Sequence, residues 1–182
     1  MRKIVSIIKY SLISLGGIFV LILFYLSVNI AIALSAPKVK ENALKNNDVR
    51  YVLNWCELGE SKIVNVKNST VSARSFTGDY VDKIEIVVKD VSVEDLEARV
   101  SKNEAWYRCD KLPKVVLDAV KFSSGWNDSD SNKWFPDETE ILTEKYYVYV
   151  WQMVIHGSRV SAAELVFINP RDNKVYFFGG KT

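Results

Sequence analysis

The stretch Tyr146–Ile155, which reads YYVYVWQMVI, decides the fold class. Aromatic and β-branched residues of this kind are enriched in strands. Gly157–Ser158 follows it and fits a type II′ hairpin turn, after which a second apolar run occupies Ala163–Ile168. Asn169–Asn173 has the composition of another turn and leads into a last strand at Lys174–Phe178. The C-terminal part is therefore predicted to be a three-stranded antiparallel meander.

A second group of strands is predicted upstream, where the apolar residues recur with a period of two. The clearest is Lys83–Lys89, in which isoleucine and valine alternate with mostly charged residues. Shorter strands are predicted at Ile63–Val66 and Thr70–Phe76, with turns at Lys67–Ser69 and Thr77–Asp79. This pattern predicts another three-stranded antiparallel meander.

Helices are predicted before and between these strand groups. Residues 48–58 have apolar side chains at helical spacing, and Ser92–Val100 begins with a capping box. A third helix is predicted to start at Pro113 and to stop at Gly125, next to a polar loop at 124–140. Because strands and helices are grouped, the order indicates an α+β domain: one antiparallel sheet made of the two meanders, with helices packed on one face.

The N-terminal segment is predicted to be a transmembrane helix. No charged residue occurs from Tyr10 to Pro37, and the apolar run Leu12–Leu34 would extend roughly 34 Å as a helix. The basic residues before this run favour a cytoplasmic N-terminus. We expect residues 1–36 to be a cytoplasmic stub and transmembrane signal anchor, and residues 37–182 to be an extracytoplasmic domain. The protein would then be single-pass in the cytoplasmic (inner) membrane, with a periplasmic or extracellular domain.

Two alternatives concern this N-terminal segment. A basic start followed by an apolar run is also typical of a cleaved signal peptide, although this run is longer than a usual signal sequence. Ser27, Ala31 and Ser35 recur every four residues, and such a stripe of small residues can bring two membrane helices together. Small residues are common in membrane helices, so the stripe is a weak indication of homo-oligomerisation.

Composition and motifs argue against several function classes. The chain has 24 Lys and Arg against 22 Asp and Glu, a balance that disfavours nucleic-acid binding. Its only histidine is His156, so a histidine pair for zinc is excluded, and we expect this residue to face solvent at a hairpin end. Asp128–Asn132 begins like a calcium loop, but Lys133 and Thr139 stand where glycine and glutamate are needed. We therefore expect no cofactor, no metal and no enzymatic activity.

The two cysteines, Cys56 and Cys109, both lie in the part of the chain that we expect outside the cytoplasm. In an oxidising compartment two such cysteines most simply form one disulfide bond. The alternative is a pair of buried free thiols.

Aromatic residues form the candidate interaction surface. Tyr147, Tyr149 and Trp151 occupy alternate positions of the predicted strand, and the intervening positions are apolar as well. Such a strand is either covered on both faces or leaves one face available to a partner. The preceding loop would extend that surface with Trp126, Trp134 and Phe135. The alternative is that these rings pack in the core.

Two functions follow as expectations. The first is a membrane-anchored envelope protein whose extracytoplasmic domain binds a protein partner through the aromatic surface, for example in an immunity or inhibitor type of role. The second is a small-ligand or lipid-binding periplasmic module, with a cavity lined by Val148, Val150, Leu165 and Phe167. An enzyme is the least favoured class, because the sequence offers no set of nucleophile, base and orienting acid.

Overall fold

The computed structural model describes residues 16–28, 44–75, 78–102, 104–126 and 133–182. The chain divides into two units, Met1–Lys38 and Val39–Thr182. In the first unit, residues 16–28 form helix α1, whose side chains are exposed. No helix among the described residues has both the length and the apolar character needed to cross a membrane. The predicted span Leu12–Leu34 continues past α1 at both ends, where residues 12–15 and 29–34 lie outside the described part of the chain, as do Ala31 and Ser35.

The second unit contains helices and six strands. The helices are α2 (Arg50–Trp55), α3 (Val93–Lys102), α4 (Lys114–Ser124) and α5 (Glu138–Ile141), with short 3₁₀ turns at Asn46–Val49, Glu60–Lys62 and Cys109–Lys111. The strands are β1 (Ile63–Val71), β2 (Tyr80–Val88), β3 (Trp106–Arg108), β4 (Tyr147–His156), β5 (Arg159–Asn169) and β6 (Lys174–Lys181).

All six strands form a single antiparallel sheet in the order β1-β2-β6-β5-β4-β3. The predicted C-terminal meander is confirmed as β4-β5-β6. Gly157 takes φ of 64° in the hairpin between β4 and β5, and Asn173 takes φ of 53° in the turn before β6, as the turn residues indicate. Strand β2 pairs with β6, so the two strand groups join in one sheet and the domain is α+β.

The upstream part of the chain was predicted to form three strands, and this number is wrong: β1 and β2 form a two-stranded hairpin. Lys67–Ser69, predicted as a turn, lies inside β1. The register with β2 shifts by one residue between Val66 and Asn68, which makes Lys67 the extra residue of a bulge. The polar side chain of Asn68 donates a hydrogen bond to Glu85 on β2, so the polar residues are accommodated without ending the strand. The third strand next to this hairpin is β6, which pairs with β2.

Helices cover both faces of the sheet, which corrects the prediction of helices on one face. On the first face, α2 and α3 pack on β2, β4, β5 and β6. The buried residues there include Leu53, Ile84, Leu96, Val166 and Phe177. On the second face, α4 and α5 pack on the same strands. The buried residues there include Val120, Ile141, Leu165, Phe167 and Phe178. Because β4, β5 and β6 are apolar on both sides, each side needs its own cover.

Candidate functional site

The six aromatic residues of the predicted interaction surface do not form one surface. Tyr147, Tyr149 and Trp151 belong to the first face, whereas the other three pack on the second face; these are Trp126, Trp134 and Phe135. Tyr147 and Phe135 are buried, and Tyr149, Trp126 and Trp134 are half-buried. Trp151 is the most exposed of the six, at 43%. Tyr147 and Phe135 therefore follow the alternative in which the rings pack in the core.

Trp151 is held in place by a stacked partner from α2. Its ring lies parallel to that of Trp55, with centroids 4.7 Å apart and an angle of 3° between the planes. Trp55 in turn contacts Tyr51 edge-on at 4.6 Å and lies 6.1 Å from Phe177. Trp151 is also the extra residue at the register shift between Val150 and Gln152. The bulge and the stack together fix an exposed tryptophan at the border of the first face.

The outer edge of β4 is only partly covered by β3. Strand β3 pairs with β4 from Tyr147 to Tyr149, and the Val150 N–H donates to the Ala105 carbonyl at 3.0 Å. Ala105, the residue before β3, has φ of 61°, a left-handed conformation at the point where the chain enters the sheet. In the described part of the chain, the edge from Trp151 to His156 has no strand beside it.

The register shows which backbone groups this edge offers. His156 and Arg159 close a two-residue hairpin and therefore bond to each other across β4 and β5. Hydrogen-bonding direction alternates along a strand, so the N–H and C=O of Ile155 point away from β5. Val154 is paired with Ala162, and the groups of Met153 again point outward. Two residues thus present backbone donors and acceptors at the open edge.

The side chains along this edge carry no charge other than that of a protonated histidine. The sequence Trp151–His156 is WQMVIH, without lysine, acidic residues or proline. Native proteins usually protect edge strands with such residues, because an open neutral edge pairs readily with another chain. We define the open edge as Trp151–His156 together with its outward backbone groups.

Apolar side chains flank the open edge on both faces. Trp151 stands on the first face. On the second face, Ile155 is 44% exposed and lines a groove with Val160 and with Val115 of α4, which is 40% exposed. The groove has a volume of about 270 Å³, and its remaining lining residues are Lys114, Asp118 and Ser158. We call it the α4 groove.

A polar cluster that the sequence did not reveal lies on the first face. The Tyr80 hydroxyl donates to Glu164 at 2.9 Å, and the Arg74 guanidinium lies 3.5 Å from the centre of the Tyr80 ring while pairing with Asp82 at 3.2 Å. Burial raises the pKa of Asp82, and the Arg74 charge opposes this shift. Burial also raises the pKa of Tyr80 to about 12, with the hydrogen bond to Glu164 adding to it. Glu164 is far in sequence from the other three residues, so only the register of β2, β6 and β5 brings it to them.

Charged residues form a smaller cleft of about 150 Å³ beside α3. Within it Arg108 pairs with Glu97 at 3.5 Å, and Arg171 pairs with Glu144 at 3.7 Å. The Tyr147 hydroxyl also donates to Glu97. Because these groups satisfy each other, the cleft resembles a structural ion-pair network more than a binding site.

The predicted Cys56–Cys109 disulfide is not present in the structure. Both cysteines are free and buried, and they belong to clusters on opposite faces of the sheet. The Cys56 thiol donates to the Val52 carbonyl at 3.3 Å, and burial raises its pKa to about 12. Burial likewise raises the pKa of Cys109. The thiolate forms are therefore disfavoured, and neither cysteine has the environment of a nucleophile.

His156 and the acidic loop are the other residues that the sequence singles out. His156 is exposed at the end of β4 and is paired in register with Arg159. The loop Asp128–Asn132 lies outside the described residues. Among the residues that are described, no group of three histidine, cysteine or acidic side chains could hold a metal ion.

Comparison of the chain with known proteins gave no match to a family model, to a curated protein or to a solved structure.

Proposed function

We propose that this chain is a single-pass envelope protein anchored by its N-terminal segment, and that its domain binds a protein partner by accepting a strand at the open edge. The uncharged run from Tyr10 to Pro37 and the basic residues before it support the anchor and a cytoplasmic N-terminus. An immunity or inhibitor type of role is one form of this proposal, which the identity of the partner would decide.

The open edge is the observation that carries the binding proposal. Strand addition supplies affinity through main-chain hydrogen bonds, and side chains on alternate positions supply specificity. Met153 and Ile155 offer the main-chain groups, while Trp151 and the α4 groove offer apolar contacts on the two faces. An exposed tryptophan supported by a stacked ring has the character of an interface anchor.

The other two functions have less support. The small-ligand or lipid-binding alternative has no comparable observation, because Val148, Leu165 and Phe167 are fully buried and pack in the cluster under α4. For a catalytic role, the buried thiols have raised pKa values and the carboxylates of the polar cluster are already hydrogen-bonded.

Site-specific photo-crosslinking in native membranes tests the binding proposal. A photoreactive amino acid replaces Ile155 on the open edge or Val64 on β1, the opposite edge of the sheet; the two side chains are 44% and 49% exposed. We expect a discrete protein adduct from position 155 but not from position 64, with the crosslink located in one segment of the partner. Equal labelling at both positions, or no protein adduct at position 155, would contradict strand addition at β4.

Protease protection tests the topology independently. Protease added to intact spheroplasts should digest the domain while leaving the anchor in the membrane. If the domain survives until the cells are lysed, it lies in the cytoplasm and the proposed orientation is wrong.

A further inference from the structure

The α4 groove reaches the edge of the sheet at Ile155, next to the position that a side chain of an added strand would take. Residues directly opposite each other in an antiparallel pair project to the same face of the sheet, with Cβ atoms about 5 Å apart. Ile155 projects to the second face, as its place in the groove shows. The partner residue opposite Ile155 would therefore also project to the second face, at the outer rim of the groove, with Ile155 between it and Val160.

Charge and size indicate what this groove accepts. Its two charged lining residues neutralise each other, because Lys114 Nζ lies 2.8 Å from Asp118 Oδ2 one turn along α4. The other lining side chains are apolar or small. The groove has a volume of about 270 Å³. A neutral side chain from a neighbouring strand fits a groove of this charge and size.

We propose that the partner is an extended segment with an uncharged apolar side chain at the position opposite Ile155, and that the α4 groove selects this side chain. The inference rests on the proposed strand addition and deepens it by naming the chemistry of the partner. The edge WQMVIH has no lysine, arginine or acidic residue to match a charged segment, so selectivity comes from the fit of apolar side chains on its two faces.

Selection from a library of random peptides tests the proposal. The full chain is reconstituted in lipid nanodiscs, and displayed twelve-residue peptides are selected on it. We expect the binders to share one apolar position, and their binding to slow amide hydrogen exchange in the fragment that contains Met153 and Ile155. The variant Val115→Asp should lower the affinity of the selected peptides about tenfold or more, equivalent to roughly 1.4 kcal/mol.

Val93→Asp is the matched control, since Val93 is a valine at the start of α3 with 39% exposure against 40% for Val115. Some binders could slow hydrogen exchange in the β4 fragment and yet show no apolar preference, or bind Val115→Asp as tightly as Val93→Asp. Either result would overturn the groove assignment but would leave strand addition standing. The absence of any protection in the β4 fragment would overturn both. Protection of that fragment by concentration-dependent dimerisation would show that a second copy, not a foreign segment, occupies the edge.

Discussion

Tyr80 on β2 and Glu164 on β5 are joined by a hydrogen bond of 2.9 Å although β6 lies between their strands. The β6 residue in register with Glu164 is Gly179, which is also paired with Asp82 on β2. A Cβ atom at Gly179 would lie 3.5 Å from Cε2 of Tyr80 and 3.1 Å from Cζ of Phe177. A Cβ atom here would only touch the Tyr80 ring, whereas a longer side chain would meet the ring where it crosses β6 to reach Glu164.

The two adjacent glycines of β6 should differ in their tolerance of alanine. A Cβ atom at Gly180 would lie 2.5 Å from Cζ of Phe178, too close for any Cβ contact, so this fully buried ring would have to move. We expect Gly180→Ala to destabilise the domain by about 1–3 kcal/mol through overpacking. Gly179→Ala should be within about 1 kcal/mol of the wild type, because a small shift of Phe177 relieves its contacts and alanine lowers the entropy of the unfolded chain. Urea unfolding of both variants measures the difference, and equal losses would contradict it.

How much the sequence predicts depends on how local the signal is. The β4-β5-β6 meander was predictable, because strand composition and turn residues such as Gly157 are read within a few positions. The bulge at Lys67 was missed because its polar residues resemble a turn until their partner Glu85 is known. Strand β3 is too short to give a periodic pattern.

The candidate site was only partly predictable for the same reason. The aromatic composition and the alternating positions of the strand indicate Trp151. Its support by Trp55, the separation of Trp126 from it and the open edge all depend on pairings between distant parts of the chain. The open edge exists because β3 begins only at Trp106, directly after Ala105 takes its left-handed conformation beside Val150, and no local sequence pattern predicts this.

The stacked tryptophans should contribute a measurable coupling energy. Trp55→Ala and Trp151→Ala each remove one ring of a parallel pair 4.7 Å apart. Aromatic pairs contribute about 0.5–1.5 kcal/mol beyond the area that they bury, so the double variant should be less destabilised than the sum of the single variants by about that amount. A double-mutant cycle from urea unfolding measures it. Additive losses would show that the two rings are neighbours without energetic coupling.

Stability should fall steeply between pH 10 and pH 12. Burial raises the pKa of Tyr51 from 10.0 to about 12, with Asp82 and Glu164 adding to the shift, and Tyr80 is raised to about 12 as well. A group whose pKa is raised on folding stabilises the folded state below its unfolded pKa and loses this contribution as pH rises through the folded pKa. The urea midpoint should therefore decrease over this range, and less so in Tyr51→Phe. An unchanged pH dependence in that variant would exclude Tyr51 as a contributor.

Both cysteines should be unreactive in the folded protein and reactive after unfolding. Cys56 and Cys109 are buried on opposite faces and have raised pKa values. We expect no alkylation by iodoacetamide under native conditions at pH 8, and alkylation of both thiols in denaturant without any reductant. Mass spectrometry of material purified from the membrane makes the measurement. If alkylation in denaturant requires a reductant, the two cysteines form a disulfide bond in the membrane-derived protein, and the free thiols of the structure are wrong.

The open edge should also govern self-association of the domain. Edges that lack charge pair with other edges when the protein is concentrated or heated, and a lysine on the edge opposes this because its charge would have to be desolvated. We therefore expect Ile155→Lys to slow aggregation near the midpoint of thermal unfolding. Val64→Lys places the same charge on β1 at similar exposure, but β1 already carries Lys67, so the added lysine should change the aggregation rate less. Light scattering at equal fractions of folded protein compares the aggregation rates of the two variants. A larger effect of Ile155→Lys would separate protection of the edge from a general effect of charge. If both lysines slow aggregation equally, the neutral edge of β4 has no special role in aggregation.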